Sequence, residues 1–115
     1  MRTVERAGVA DQAASAFLKA CKEAVRAVLP RATVVLFGSR ARGDARPDSD
    51  YDLLVLAANE ADAVIKQRVR DAVYDVALDH GAVASVFLYS RRRWNSPLWR
   101  NTPLHARVEE EGALL

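Results

Sequence analysis

The chain has 115 residues, 50% of them hydrophobic, with 17 basic against 15 acidic side chains and a formal charge of +2. That length suits one domain, spanning 1–115, with one hydrophobic core, and so even a charge balance selects no polyionic partner by itself. The lone cysteine, Cys21, excludes an internal disulfide and a cysteine-rich metal site. No apolar run approaches the roughly 20 residues of a membrane span, and the N-terminus carries Arg2, Glu5 and Arg6 instead of an apolar leader. The sequence therefore reads as cytoplasmic and unassociated with membrane.

In chain order, residues 1–8 show no pattern and are expected to fray. From Val9 to Leu29 the apolar positions Ala13, Phe17, Cys21, Ala24, Val25 and Val28 recur at spacings of three and four, which predicts an amphipathic helix ending before Pro30. Cys21 on that stripe reads as an inert core thiol. Thr33–Phe37 is short, apolar and β-branched, hence a buried strand. Gly38-Ser39 breaks it, and Ser39 is placed to cap a helical turn holding Arg40 and Ala41. Gly43–Ser49 is a loop, and Asp50–Leu56 is the second strand.

Glu60–His80 predicts the second long helix, with Ala61, Val64, Ile65, Arg68, Val69, Ala72, Val73, Val76 and Ala77 as its inner stripe and Gly81 as its C-terminal cap. Ala82–Tyr89 is the third strand, and its near-continuous apolar run suggests burial on both faces or a central place in the sheet. A tail follows with Asn-Ser-Pro and Asn-Thr-Pro breaks. Leu104–Glu111 is expected as a short helix started by Thr102-Pro103, after which Gly112 ends it and Ala113–Leu115 trail off. The expected fold class is α+β, an α/β sandwich: a mixed sheet of about three strands packed with two long helices and a short helical tail.

The chemistry concentrates in two pieces. Asp50 and Asp52 are two apart on a strand, so both carboxylates project to one face. Paired carboxylates repel unless a cation lies between them, and hard oxygen ligands suit Mg²⁺, which also takes oxygens from substrate phosphates. Gly38 allows close approach of backbone to a phosphate, the Ser39 hydroxyl adds a donor, and Arg40, Arg42 and Arg46 surround the loop and could neutralise a triphosphate. Each feature alone has a bland explanation: an ordinary turn, a solvated strand end, an exposed arginine. Their conjunction after two apolar strands is far rarer by chance.

Gly38-Ser39-Arg40-Ala41-Arg42-Gly43, followed by Ser49-Asp50-Tyr51-Asp52-Leu53-Leu54-Val55, resembles the signature of the DNA polymerase β-like nucleotidyltransferase superfamily, and within it the minimal nucleotidyltransferase branch. The resemblance implies metal-dependent transfer of a nucleoside monophosphate, AMP from ATP above all, to an acceptor hydroxyl. It implies that Gly38 and Ser39, with Arg40 and Arg42, hold the nucleoside triphosphate and that Asp50 and Asp52 bind Mg²⁺ and carry the catalysis. Minimal members often accompany a helical HEPN-domain toxin as its antitoxin, and some transfer AMP to a tyrosine of that toxin.

One departure matters. Active members carry a third carboxylate on the next strand, and Ala82–Tyr89 contains neither Asp nor Glu; Ala84, Ser85 or Val86 stands where the acid belongs. That acid commonly serves as general base and metal ligand. Asp75 and Asp79 lie on the preceding helix and Asp48 in the loop, none well placed to replace it. An alternative to the enzyme is therefore a weak or inactive nucleotide-binding antitoxin that neutralises a partner by binding.

The remaining motifs are weaker. Arg91-Arg92-Arg93-Trp94 is a slender nucleic-acid signal, and a solvated helix start with Trp94 against the core edge is preferred. Trp94, Pro97, Leu98 and Trp99 could instead seed a homo-oligomer or partner contact. His80 suits a helix C-terminus, His105 is isolated, and Glu109-Glu110-Glu111 reads as a solvated face.

Overall fold

The computed structural model describes residues 1–115. Three strands lie close to where the sequence puts them: β2 at Thr33–Phe37, β3 at Tyr51–Ala57 and β4 at Ala84–Ser90. Two further strands, β1 at Arg2–Thr3 and β5 at Ala113–Leu114, enlarge the sheet to five strands in the order β1-β5-β2-β3-β4. The sheet is mixed: β2 runs antiparallel to β3 and β5, whereas β3–β4 and β1–β5 are parallel.

The extra strands correct two expectations. Residues 1–8 do not fray, because Arg2 and Thr3 pair with Ala113 and Leu114 and the chain continues into α1, Val4–Ala7. Arg2 Nη2 also donates to the carbonyls of Ala41 (2.5 Å) and Glu111 (3.3 Å). Nor do the last residues trail off, because Leu114 and Ala113 sit opposite Val35 and Leu36. A third correction concerns β4. Its apolar run is not central but lies at the sheet edge, and most of its residues are only half-buried.

Helix α2 spans Gln12–Val28, begun by the Asp11 carboxylate, which accepts from Ala14 N–H at 2.9 Å. Phe17, Leu18, Cys21 and Val25 form its buried stripe, and burial pushes the Cys21 thiol up to about 12, which keeps it protonated and inert. Helix α4 spans Ala63–His80, later than expected because Asp62 is its N-cap, accepting from Ile65 N–H at 2.8 Å. Glu60 instead accepts from the Ser90 hydroxyl at 2.6 Å and pairs with Arg93 at 3.6 Å. Val69, Val73 and Ala77 face inward, while Val64 and Arg68 are exposed. Gly81 takes φ 63° as the helix cap.

Strand alternation divides the sheet into two faces. Val34, Leu36, Leu53 and Val55 join α2 and α4 in a core of 18 buried residues. Val35, Phe37 and Leu54 face the other way and pack with Trp94 and Val108 of the tail. That tail is three short helices: α5 (Arg91–Trp94), α6 (Pro97–Arg100) and α7 (Pro103–Glu111). Trp94 is buried against the core edge as expected, and His105 is not isolated but buried, its ring stacked on Trp94 at 4.6 Å. No helix is long and apolar enough to cross a membrane.

Candidate active site

The site is assembled where β2 ends and β3 begins. Those strands are antiparallel, with Phe37 opposite Asp52, so the turn that follows Phe37 comes down beside the first residues of β3. Gly38 occupies that turn at φ 79°, ψ −162°. A Cβ there would collide with the Asp52 carboxylate, so backbone and acid meet in a way only glycine allows. Asp52 shares the face of Leu54 and Phe37, the tail side of the sheet, and its parallel neighbour on β4 is Ser85.

Burial raises the Asp52 carboxyl above its usual range; Arg107 and Arg42 pull it down, and the charges of Asp50 and Glu111 push it up further. Asp50 immediately precedes β3 and is exposed. Asp50 stands one residue before β3, not on it, and its charge bears on the half-buried Asp52, a strain between two acids that a divalent cation would relieve. No cluster of three or more acidic, histidine or cysteine ligands accompanies them, and β4 offers Ser85 where a third acid would complete the set.

Ser39 is not the cap expected from the sequence. Gly38 holds that position and Ser39 opens α3, Ser39–Arg42, whose carbonyl accepts from Gly43 and Asp44 N–H. Arg40 turns away from the aspartates. Its guanidinium donates to the carbonyls of Pro47 (3.0 Å) and Ser49 (2.9 Å) and lies 4.3 Å from the Tyr51 ring centroid, so it ties the loop onto the start of β3. Arg42 reaches across to Glu111, Nη1 to Oε2 at 2.8 Å, and to Asp44 at 3.2 Å, and both hydrogen bonds hold it in the charged form.

Glu111 is the residue that sequence reasoning missed. Glu109 and Glu110 are solvated as expected, but the Glu111 side chain is only 11% exposed and lies at the site. Its Oε1 accepts from Gly38 N–H at 3.1 Å, and Arg107 approaches the same oxygen at 3.6 Å. The one signal in the sequence was the Arg107–Glu111 spacing of one helical turn, which any exposed helix could also show. A surface recess of about 690 Å³ along α2 and Leu115 is lined by Lys19, Lys22 and Arg26 and stands apart from these residues.

The glycine turn thus abuts Asp52 where β2 ends and β3 begins. The chain belongs to the nucleotidyltransferase domain family, whose model matches residues 15–97. It is 31% identical over 105 residues, 91% of its own length and 96% of the other, to a Methanocaldococcus jannaschii protein named "Putative protein adenylyltransferase". Solved structures share the fold. A chain from the crystal structure of a toxin–antitoxin with AMP-PNP matches with a TM-score of 0.60 at 22% identity, over 84% of this chain and 69% of that one. A chain from the complex of a tri-AMPylated Shewanella oneidensis HEPN toxin with MNT antitoxin matches with a TM-score of 0.57 at 19% identity, over 87% and 69% respectively.

Proposed function

We propose that this protein transfers AMP from ATP to an acceptor hydroxyl, and that the acceptor is a tyrosine of a HEPN-type toxin partner. The observation that carries the reading is the contact of the Gly38 turn with Asp52, which brings a phosphate-approachable backbone and an acid pair into one small volume. The membership in the nucleotidyltransferase family supports the reaction class. The name of the archaeal relative supports a protein acceptor, and the toxin–antitoxin neighbours support the partner.

Asp50 and Asp52 would hold Mg²⁺, which when bound offsets the charge of the triphosphate and of the leaving pyrophosphate. The chain's own groups do the rest. Gly38 N–H and Arg42 hold phosphate oxygens, and the Ser39 hydroxyl adds a donor. Arg40 fixes the 43–49 loop and thereby the position of Asp50. The acceptor oxygen bonds to the α-phosphorus, the bond to the pyrophosphate oxygen breaks with the electron pair leaving on pyrophosphate, and the acceptor proton passes to solvent water. Ser85 beside Asp52 offers no carboxylate to take that proton, so transfer is slow by the measure of a three-acid site.

The test is transfer of label from α-labelled ATP to a purified HEPN-type partner, with Asp50→Asn and Asp52→Asn as controls. Transfer that survives both substitutions overturns the assignment. A second reading, neutralisation by binding alone, is favoured by Ser85 at the third-acid position. Under it, Asp50→Asn leaves neutralisation of the partner intact while nucleotide transfer is absent from the wild-type protein as well.

A further inference from the structure

Glu111 sits in a site built for an anion. Two donors from two other elements hydrogen-bond its carboxylate, Gly38 N–H from the turn at 3.1 Å and Arg42 Nη1 from α3 at 2.8 Å, and Arg107 Nε, one turn back on α7, forms an ion pair with it at 3.6 Å. The side chain is 11% exposed, and it holds this place although its charge is unfavourable to Asp52 nearby. A carboxylate acting as a metal ligand would turn its oxygens toward the other acids. Here each oxygen accepts one hydrogen bond, from a backbone N–H and from a guanidinium, with a second guanidinium close by, which is how proteins bind carboxylate and phosphate alike.

We propose that Glu111 is a built-in occupant of the phosphate subsite, displaced when a triphosphate binds, and that Arg107 is a further phosphate-binding residue of that subsite. The inference rests on the reading of Gly38 and Arg42 as triphosphate contacts. The single Gly38 N–H that Glu111 Oε1 occupies is the one a phosphate oxygen would need, and Arg42 Nη1 is turned to Glu111 Oε2 at the same time, so Glu111 and a phosphate group compete for the same donors. Displacement needs no movement of α7. Glu111 is its last residue, Arg42 is almost half exposed, and rotation of the glutamate side chain toward solvent vacates the donors. Arg107 and Arg42 then face the incoming phosphates with their charges freed. In the absence of nucleotide the same contacts keep the turn ordered and its N–H satisfied.

Calorimetry on the full chain tests this with two probes, Mg–ATP and metal-free inorganic tripolyphosphate. Glu111→Gln keeps the volume and removes the charge, and it should bind both probes about tenfold more tightly, which is about 1.4 kcal/mol. Glu111→Asp, one methylene shorter, should lie between wild type and Glu111→Gln. Arg107→Gln should weaken both probes about fivefold. Thermal melts of each variant establish that it is folded. If wild type binds Mg–ATP and Glu111→Gln binds it equally or more weakly, the glutamate is no competitor and the inference falls while the nucleotide site stands. If Glu111→Gln loses Mg–ATP affinity but not tripolyphosphate affinity, the glutamate is a metal ligand and the inference again falls. If no form of the protein binds either probe, the nucleotide site and the inference fall together.

Discussion

The two faces of the sheet are covered in different ways. On one, α2 and α4 are helices of 17 and 18 residues and share a core of 18 buried side chains. On the other, three short helices of 4, 4 and 9 residues close over five buried side chains. The long-helix face contributes packing and carries no chemistry, with Cys21 protonated and inert within it. The tail face carries Asp52, Glu111, Arg107 and Ser85. That patchwork cover tolerates an acid whose charged form is disfavoured by burial. Stability and chemistry are thus divided between the two sides of the same strands, residue by alternating residue.

The division can be broken first at the acid. Asp52→Asn should lower AMP transfer by about 10³-fold, roughly 4 kcal/mol in the barrier, while the melting temperature of the metal-free protein at pH 7 stays level or rises. A large fall in melting temperature would mean the acid is structural. On the other face, Phe17→Ala removes a ring packed on Tyr51 at 4.8 Å and should cost about 3–5 kcal/mol in urea denaturation. By comparison, Trp94→Ala should leave the amide-exchange protection of α2 and α4 largely intact. Equal loss of protection in both variants would show the faces to be one cooperative unit.

At the meeting point of the faces, Gly38→Ala forces a Cβ onto the Asp52 carboxylate at a positive φ and should cost about 1–3 kcal/mol, with nucleotide affinity lost as well. Ser85→Asp sharpens the comparison from the other direction. The register sets Ser85 beside Asp52 on the tail face, so the new acid should raise the transfer rate about a hundredfold, as a general base does at the low end of its range. An unchanged rate would mean that proton removal does not limit transfer.

The smallest effect concerns the tie between the end of β4 and the loop that precedes α4. The Ser90 hydroxyl lowers the Glu60 carboxyl below its ordinary 4.5. A group whose folded value is depressed stabilises the fold above its unfolded value, and that contribution fades as pH falls through the folded one. The melting-temperature gap between wild type and Glu60→Gln should therefore be present at pH 7 and close as the pH drops below about 4.5. A gap independent of pH would assign the effect to packing.

Much of this was legible in the sequence, for identifiable reasons. Thr33–Phe37 and the two long helices were readable because apolar period and helix or strand length agree, and Gly38 with Asp50-x-Asp52 because both the turn and the acid spacing are local. The strands at Arg2–Thr3 and Ala113–Leu114 were not, since two residues carry no periodicity. The edge position of β4 was hidden because α4 covers one of its faces and the aromatic tail the other, so an edge strand reads like a central one. Arg40 looked like a phosphate ligand because its loop lies by the motif, while its carbonyl partners at Pro47 and Ser49 depend on how the loop folds back. Glu111 was lost in a run of three identical residues, only one of which turns toward the sheet.

The pairing of β1 with β5 has a consequence in time. It joins residues near the two ends of the sequence, and the pairing of β5 with β2 also waits for the last residues of the chain. Contacts of such long separation form late, after loop-closure entropy has been overcome. Until α7 and β5 dock, the Gly38 turn lacks the Glu111 acceptor and β1 lacks its partner strand. The donors around the turn acquire their resident carboxylate only when α7 docks, so a partly folded chain and the folded one present different surfaces to the same anion.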